Sequence, residues 1–181
     1  MVHTILTFGD ATLRRKAQPV AKVTDELRLL VKDMVETMHA ARGVGLAAEQ
    51  IGRLEDVCVI DVPAEAEKPE CVAANAAVHM PLALVNPEIV AREGQQRHEE
   101  GCLSFPEISC PITRAATVTV SYLDLSGKRC TAVCHGLLAR AVQHEVDHLA
   151  GVLLVDRMSP MQRLAMAGKI KRLQQEAQAE R

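Results

Sequence analysis

The sequence predicts a single α+β domain over residues 1–181, in which antiparallel β-strands pack around a central helix, with helices also near the N- and C-termini. Three observations support this fold class. The length of 181 residues suits one domain, since domains usually have roughly 100–200 residues. Helical periodicity appears near both ends and again at His135–Leu149, whereas residues 116–134 alternate as a β-hairpin does. The order helix, strands, hairpin, helix, helix therefore favours an antiparallel sheet around one buried helix.

The first helix is predicted to begin after Thr24 and to end near Arg42 and Gly43. Apolar residues recur at steps of three and four from Leu27 to Met38, which is typical of an amphipathic helix. Thr24 suits the N-cap because its hydroxyl can accept a bond from a free backbone N–H of the first turn.

Two strands are predicted next, at residues 57–62 and 82–90. The first, VCVIDV, is short and apolar, as a buried strand is. We expect the second to lie toward a sheet edge because Pro87 has no N–H to donate. Residues 63–81 between them are Ala-rich without a clear period, and we interpret them as an inserted loop.

The second half of the chain is predicted to form a hairpin and two helices. Strands at residues 116–125 and 128–134 flank a Ser-Gly turn. A helix follows over His135–Leu149, and Gly151 suits its C-terminal stop. Ser159 and Pro160 are typical of an N-cap and a first helical position, so residues 160–181 are predicted to form the closing helix.

Composition excludes several functions. Aromatic residues make up 2% of the chain, too few for stacking platforms that bind single-stranded nucleic acid. With 21 basic and 23 acidic residues, no strong field attracts DNA or anionic membranes, so we expect neither as a partner. Six cysteines in a chain without a secretory signal favour metal ligation or buried thiols over disulfides. These features indicate a cytoplasmic protein.

The strongest local signal is the HExxH pattern of His144, Glu145 and His148. Residues four apart share a helix face, so both imidazoles can bind one metal ion, while Glu145 lies beside it. A third protein ligand would leave a position for water, whose pKa the ion lowers. Leu154 stands where a metzincin has its third ligand. A gluzincin would need a Glu on a downstream helix, and the glutamates beyond Gly151 are Glu176 and Glu180 near the chain end. We therefore expect the ligand upstream.

Two upstream segments are candidates for the same site. Cys102 lies in EEGCLS, where a glycine allows close backbone approach and a thiolate can complete a tetrahedral site. The segment GVGLAAEQ places small residues near a ligand and ends on the amide donor Gln50. By contrast, Cys130 and Cys134 are interpreted as core residues.

Together, GVGLAAEQ, EGCLS and QHEVDHLAG resemble the three motifs of the peptide deformylase family, in the same order. The resemblance covers nearly the whole chain. It implies a hydrolase that removes the formyl group from N-formylmethionyl nascent peptides and releases formate. It also implies Fe(2+) as the metal, whereas the ligand chemistry alone equally permits Zn, Ni or Co.

The resemblance also implies roles for individual residues. Metal-bound water would attack the formyl carbon, with Glu145 as general acid and base. Gln50 and the Leu103 N–H would donate to the developing oxyanion. The metal ligands would be Cys102, His144 and His148.

Substrate contacts are expected from small and apolar residues near the same motifs. Val44, Leu137 and Ala141 are the candidate lining of the methionine pocket, and plain core packing is the alternative. An extended peptide could lie along the Val44–Gly45 backbone. Glu100 and Arg114 either brace the Cys102 loop or form a solvated pair.

Two residues depart from the common family pattern. Glu49 stands where Pro or Thr is frequent, and Phe105 stands where a small aliphatic residue is usual. We therefore expect an altered polarity of the site rim.

The closing helix carries basic residues that could dock on the ribosome, although such residues also suit the helix dipole. They are Arg163, Lys169, Lys171 and Arg172.

Three alternatives make different predictions. An HExxH metallopeptidase would cleave internal amide bonds. A non-catalytic module for binding nascent chains or ribosomes would have a closed structural metal site. A thiol hydrolase with Cys102 as nucleophile would resist chelators and lose its activity on alkylation.

Overall fold

The structure of the protein is a computed structural model that describes residues 1–179. It contains two antiparallel sheets with helices around them. Among these residues the helices are α1 (Asp25–Ala40), α2 (Pro69–Ala74), α3 (Gly136–Leu149), α4 (Leu154–Arg157) and α5 (Pro160–Ala179). The strands are β1 (Gly45–Ala47), β2 (Val57–Ile60), β3 (Leu82–Glu93), β4 (Gln96–Gly101), β5 (Ser109–Arg114), β6 (Thr117–Leu123) and β7 (Arg129–His135). Three short 3-10 helices cover Ala11–Arg14, Ala48–Ile51 and Ala64–Ala66.

The larger sheet has the order β1-β2-β3-β6-β7, and β4 and β5 pair separately. Neighbouring strands in both sheets run antiparallel. Helix α3 packs against β1, β2, β3, β6 and β7 of the larger sheet. The predicted α+β class, with antiparallel strands around the helix that carries HExxH, is confirmed.

Helix α1 begins as its sequence predicts. The Thr24 side chain accepts a hydrogen bond from the Leu27 N–H at 3.3 Å. The apolar stripe from Leu27 to Met38 is buried. The helix ends at Ala40, and Arg42 then adopts a left-handed conformation with φ of 56°, which turns the chain into β1.

Strand β3 is not an edge strand, so that prediction was wrong. It lies in the middle of the larger sheet, between β2 and β6. Its register against β6 shifts between Val85 and Glu88, and Pro87 lies within that bulge. A bulge leaves its extra residue unpaired, so the missing N–H of Pro87 costs no ladder bond. Asn86, at φ of 49°, stabilises the bulge by bonding the N–H and C=O of Val20, both at 2.8 Å.

Residues 63–81 are more ordered than the predicted loop. They contain a 3-10 turn and α2, which has Pro69 at its first position, as helix starts favour. The six residues of α2 are too few for a visible helical period. The segment packs onto the end of β7: Asn75 donates to the His135 carbonyl at 3.2 Å and accepts from the His135 N–H at 2.9 Å.

The other predicted elements lie close to their expected bounds. The hairpin forms from β6 and β7, and α3 begins at Gly136. Helix α5 starts at Pro160, with reciprocal bonds between Ser159 and Gln162. The predicted continuation over residues 180–181 lies outside the described residues. Within residues 1–179, no helix combines the length and apolar character needed to cross a membrane.

The structure differs from the sequence-based expectations in the burial of Cys130 and in the number of strands. Cys134 is buried, as predicted, but Cys130 is only half-buried and its thiol lies 3.6 Å from Asp124. Strands β1, β4 and β5 were not predicted. β1 has three residues, and β4 (QRHEEG) is polar almost throughout, so neither shows alternation.

Candidate active site

Helix α3 brings the HExxH residues into the interior. Glu145 is 3% exposed and His148 1% exposed. Both imidazoles lie on one face because their residues are four apart. Burial lowers the pKa of His148 well below its usual value, so this imidazole is neutral and available as a metal ligand.

Cys102, directly after β4, joins the two histidines. Its Sγ lies 3.2 Å from His148 Nε2. One donor atom from each of Cys102, His144 and His148 lies within 4.8 Å of the other two. One thiolate and two imidazoles suit Zn, Fe(II), Ni or Co better than Mg or Ca, which prefer oxygen ligands. The three predicted metal ligands therefore form a cluster that could hold such a metal ion.

A buried ion network supports this cluster from behind. Arg114 Nε donates to Glu100 Oε1 at 2.8 Å, and Arg114 Nη1 donates to Asp147 at 2.8 Å. Arg114 is 7% and Glu100 9% exposed, so the pair braces the site and is not solvated. Glu100 Oε2 lies 3.4 Å from His144 Nδ1, which leaves His144 Nε2 for the cluster.

The charges in this network stabilise one another. Burial raises the pKa of Glu100, but hydrogen bonds from His144 and Arg114 outweigh burial, and the net pKa lies below the usual value. Glu100 is therefore ionised at neutral pH. A carboxylate behind a ligating histidine fixes the ring orientation and increases its basicity.

Glu145 faces the cavity beside β1. A Cβ atom at Gly45 would overlap its carboxylate, so β1 can approach this closely only with glycine there. Burial is the main cause that raises the Glu145 pKa to about 7. Its Oε2 is buried without a hydrogen-bond partner among the described residues. The carboxyl group can therefore gain or lose a proton near neutral pH.

Gln50 presents its amide NH₂ to the same space. Its Oε1 accepts from the Ala47 N–H at 2.9 Å, which orients the side chain. Its Nε2 donates to Ser104 Oγ at 3.1 Å and lies 3.6 Å from Cys102 Sγ. Gln50 is 2% exposed. Ser104 was not singled out in the sequence, although it lies within the EGCLS motif.

A cavity of about 660 Å³ opens onto this cluster. The four residues predicted to contact substrate, Val44, Gly45, Leu137 and Ala141, all line it, as does Leu103. The cavity also has two arginines in its wall, Arg42 and Arg140, which the sequence did not indicate as site residues.

The two departures from the family pattern are both buried, and Phe105 also lines the cavity. Phe105 is 1% exposed and stacks on Phe8, with ring centroids 4.9 Å apart. Glu49 is 0% exposed, and neither carboxylate oxygen has a partner among residues 1–179. Burial, with smaller contributions from the charges of Asp56 and Glu145, raises the Glu49 pKa to about 8.

The start of α3 is held by a residue that the sequence did not reveal. Glu67 accepts hydrogen bonds from the N–H groups of Leu137 at 2.6 Å and Leu138 at 3.2 Å. A carboxylate satisfies free N–H groups there and complements the helix dipole. Seventy residues separate Glu67 from Leu137 along the chain, so no local pattern could have indicated the contact.

Two of the basic residues of α5 contact the loop that follows Cys102. Lys169 Nζ donates to the Glu107 carbonyl at 3.1 Å, and Arg172 donates to the Glu107 carboxylate at 3.0 Å. These side chains therefore have partners within the protein. All four basic residues are exposed, and Arg163 donates to the Asp156 carbonyl at 3.4 Å.

Comparison with known proteins gives consistent matches. The sequence profile of the family described as polypeptide deformylase matches residues 2–164. The peptide deformylase of Nitrosococcus oceani is 45% identical over 173 residues, covering 96% of each chain. A crystal structure of the Legionella pneumophila enzyme has a TM-score of 0.82 at 39% identity, covering 100% of this chain and 99% of that one. The Ehrlichia chaffeensis enzyme in complex with actinonin has a TM-score of 0.85 at 36% identity, covering 97% of each chain.

Proposed function

This chain belongs to the polypeptide deformylase family, and we propose that its active site is the cluster that Cys102 forms with His144 and His148 of α3, where the formyl group of N-formylmethionyl nascent peptides is hydrolysed to formate. One observation carries this assignment. Three clustered side chains that could hold a metal ion lie beside a carboxyl group with a pKa of about 7 and an oriented amide donor, and one cavity opens onto this cluster.

Cys102, His144 and His148 would hold the metal ion. The resemblance to the family favours Fe(2+), and Zn, Ni or Co suit the same donors. When bound, such an ion supplies a Lewis acid and lowers the pKa of water toward neutrality. The buried Glu100 carboxylate, 3.4 Å from His144 Nδ1, keeps that ring aligned.

Glu145 moves the proton in the proposed reaction. Its carboxylate accepts a proton from the attacking water, and the resulting acid donates it to the leaving amine. A group whose pKa is about 7 is suited to both steps, because general acid–base catalysis works best near the operating pH. The product amine becomes the free N-terminus of the peptide.

Gln50 and the Leu103 N–H stabilise the charge that develops on the formyl oxygen. The Gln50 amide is already oriented by Ala47 and Ser104. Preorganised donors need no rearrangement when the charge appears, which is why they lower the barrier.

The methionine side chain would occupy the part of the cavity lined by Val44, Leu137 and Ala141. The peptide backbone would lie extended along Val44 and Gly45, next to Glu145. This arrangement puts the formyl carbon beside the proposed catalytic groups.

The test is formate release from a formyl-Met-Ala-Ser peptide by enzyme purified anaerobically with Fe(II). We expect activity that a chelator abolishes and that added Fe(II) restores. Chelator-resistant activity that alkylation destroys would favour the thiol hydrolase, and cleavage of an internal amide would favour the peptidase. A metal-loaded protein that releases no formate would favour the binding module.

The place where the enzyme acts and a contact to the ribosome are two further proposals, and the ribosome contact can be tested directly. We propose that the enzyme acts in the cytoplasm on emerging chains, with the exposed Arg163 and Lys171 of α5 as a contact to the ribosome. Reversing both charges should then reduce co-sedimentation with ribosomes. Unchanged co-sedimentation would contradict the contact.

A further inference from the structure

Arg140 is a cationic residue of the cavity wall to which the proposed mechanism gives no role. It lies on α3 one turn before His144, and residues four apart share a helix face. It lines the same cavity as Leu137 and Ala141. Its Nε is buried without a hydrogen-bond partner, and no ion pair involves Arg140 in the described part of the chain. A buried donor without a partner is unfavourable, so the geometry points to an acceptor supplied by a ligand.

Four acids line this cavity; Glu99, Glu100 and Glu107 have hydrogen-bond or ion-pair partners, and Glu145 is the proposed proton-transfer group. Glu99 accepts from the Ser109 hydroxyl at 2.7 Å, and Glu107 pairs with Arg172. Glu100 is bonded to the buried Arg114. Arg42, which also lines the cavity, likewise has no ion pair within residues 1–179. Arg42 and Arg140 are therefore the cationic side chains that the cavity can offer to an anionic group of a ligand.

We propose that Arg140 binds an acidic side chain on the third residue of the formyl peptide, an inference that rests on the proposed deformylase function. Side chains of an extended peptide alternate, so the third residue lies on the same side as the methionine, about 7 Å along the chain. Leu137 and Ala141, on either side of Arg140, line the predicted methionine pocket. The long Arg140 stem can cover apolar surface while its guanidinium receives a carboxylate in two hydrogen bonds.

The experiment compares formyl-Met-Ala-Glu-amide with formyl-Met-Ala-Gln-amide on the Fe(II)-loaded enzyme. The amide ends remove the terminal carboxylate as a second anion. We expect kcat/KM to be about three- to tenfold higher for the Glu peptide, mainly through KM, and the preference to shrink as salt rises. A formyl-Met-Glu-Ala-amide peptide places the charge on the second residue and should show no such gain.

Substitutions of Arg140 test whether this residue causes the preference for the Glu peptide. Arg140→Gln should bring the Glu-to-Gln ratio close to one, and Arg140→Lys should retain part of the preference. Arg15→Gln, an exposed residue outside the cavity, removes the same charge and should leave the ratio unchanged. Because each ratio compares two peptides on one preparation, a partly folded variant still gives a valid result.

Several results would overturn the inference. They are equal rates for the Glu and Gln peptides, a preference that survives Arg140→Gln, or a larger gain at the second residue. A failure of the proposed function looks different, because then none of the three peptides would release formate.

Discussion

The two halves of α3 are held in different ways. The C-terminal half carries His144, Glu145 and His148, and Arg114 braces it from a buried position between two carboxylates. The N-terminal half carries the cavity residues Leu137, Arg140 and Ala141. It is held by the half-exposed Glu67, which reaches the helix from the segment 63–81.

This difference matches what each half is proposed to do. A buried ion pair is costly to break, because a charge left without its partner remains in a medium of low dielectric constant. A partly exposed cap is worth less, because water can replace it. Metal ligation and proton transfer depend on accurate placement, whereas a pocket for a flexible side chain tolerates small shifts. The rigid support therefore lies behind the chemistry.

The largest expected effect is a loss of catalytic rate when Glu145, in the C-terminal half of α3, is replaced. Glu145→Gln should lower kcat about 10²–10⁴-fold, the usual contribution of a general acid–base group. Metal content per chain should not fall, since Glu145 is not one of the three clustered ligands. Formate release and metal analysis on the same sample measure both. Near-normal kcat would contradict the role proposed for Glu145.

Removing Arg114, the buried support of α3, should cause the largest loss of stability. Arg114→Met leaves Glu100 and Asp147 without the cation between them and should reduce the free energy of unfolding by about 3–5 kcal/mol. Arg157→Met is the matched control, since Arg157 binds Asp147 at 2.9 Å from a partly exposed position. Its loss should cost about 1 kcal/mol or less. Equal losses in denaturant unfolding would show that the burial of Arg114 does not matter.

The buried Glu49 should make the stability of the protein depend on pH. Its pKa in the folded protein, about 8, lies above the ordinary value of 4.5, so the unfolded chain loses this proton at a lower pH. The Glu49 contribution to stability should therefore be fully present below pH 4.5 and fall as the pH rises to about 8, by about 3–5 kcal/mol in all. Glu49→Gln should remove this decline and stabilise the protein at pH 8. Unfolding curves of both proteins between pH 5 and 9 measure it, and parallel pH profiles would contradict it.

The smallest effect is expected at the N-terminal half. Glu67→Ala removes the carboxylate from the Leu137 and Leu138 N–H groups and should cost about 1 kcal/mol. Since Leu137 lines the proposed methionine pocket, KM should rise more than kcat falls. Glu65→Ala, an exposed neighbour, should change neither. A fall in kcat with an unchanged KM would mean that the cap supports the catalytic half instead.

Local elements could be predicted because their signals lie within a few residues. The Thr24 and Ser159 caps, the α1 stripe, the hairpin turn and the four-residue spacing of His144 and His148 all follow from backbone geometry. The three motifs were sufficient to indicate the family. For β3 the local rule was misleading, because the bulge at Pro87 depends on pairing with β6.

By itself, the sequence determined the helix that carries HExxH, the candidate ligands and the resemblance to deformylases. Only the tertiary structure decided that Arg114 is buried between Glu100 and Asp147, that Glu67 caps α3 and that Glu49 lies in the interior without a partner. The physical reason is distance along the chain. Propensity and periodicity act over one or two turns, whereas burial and pairing of residues far apart in sequence depend on how the whole chain packs.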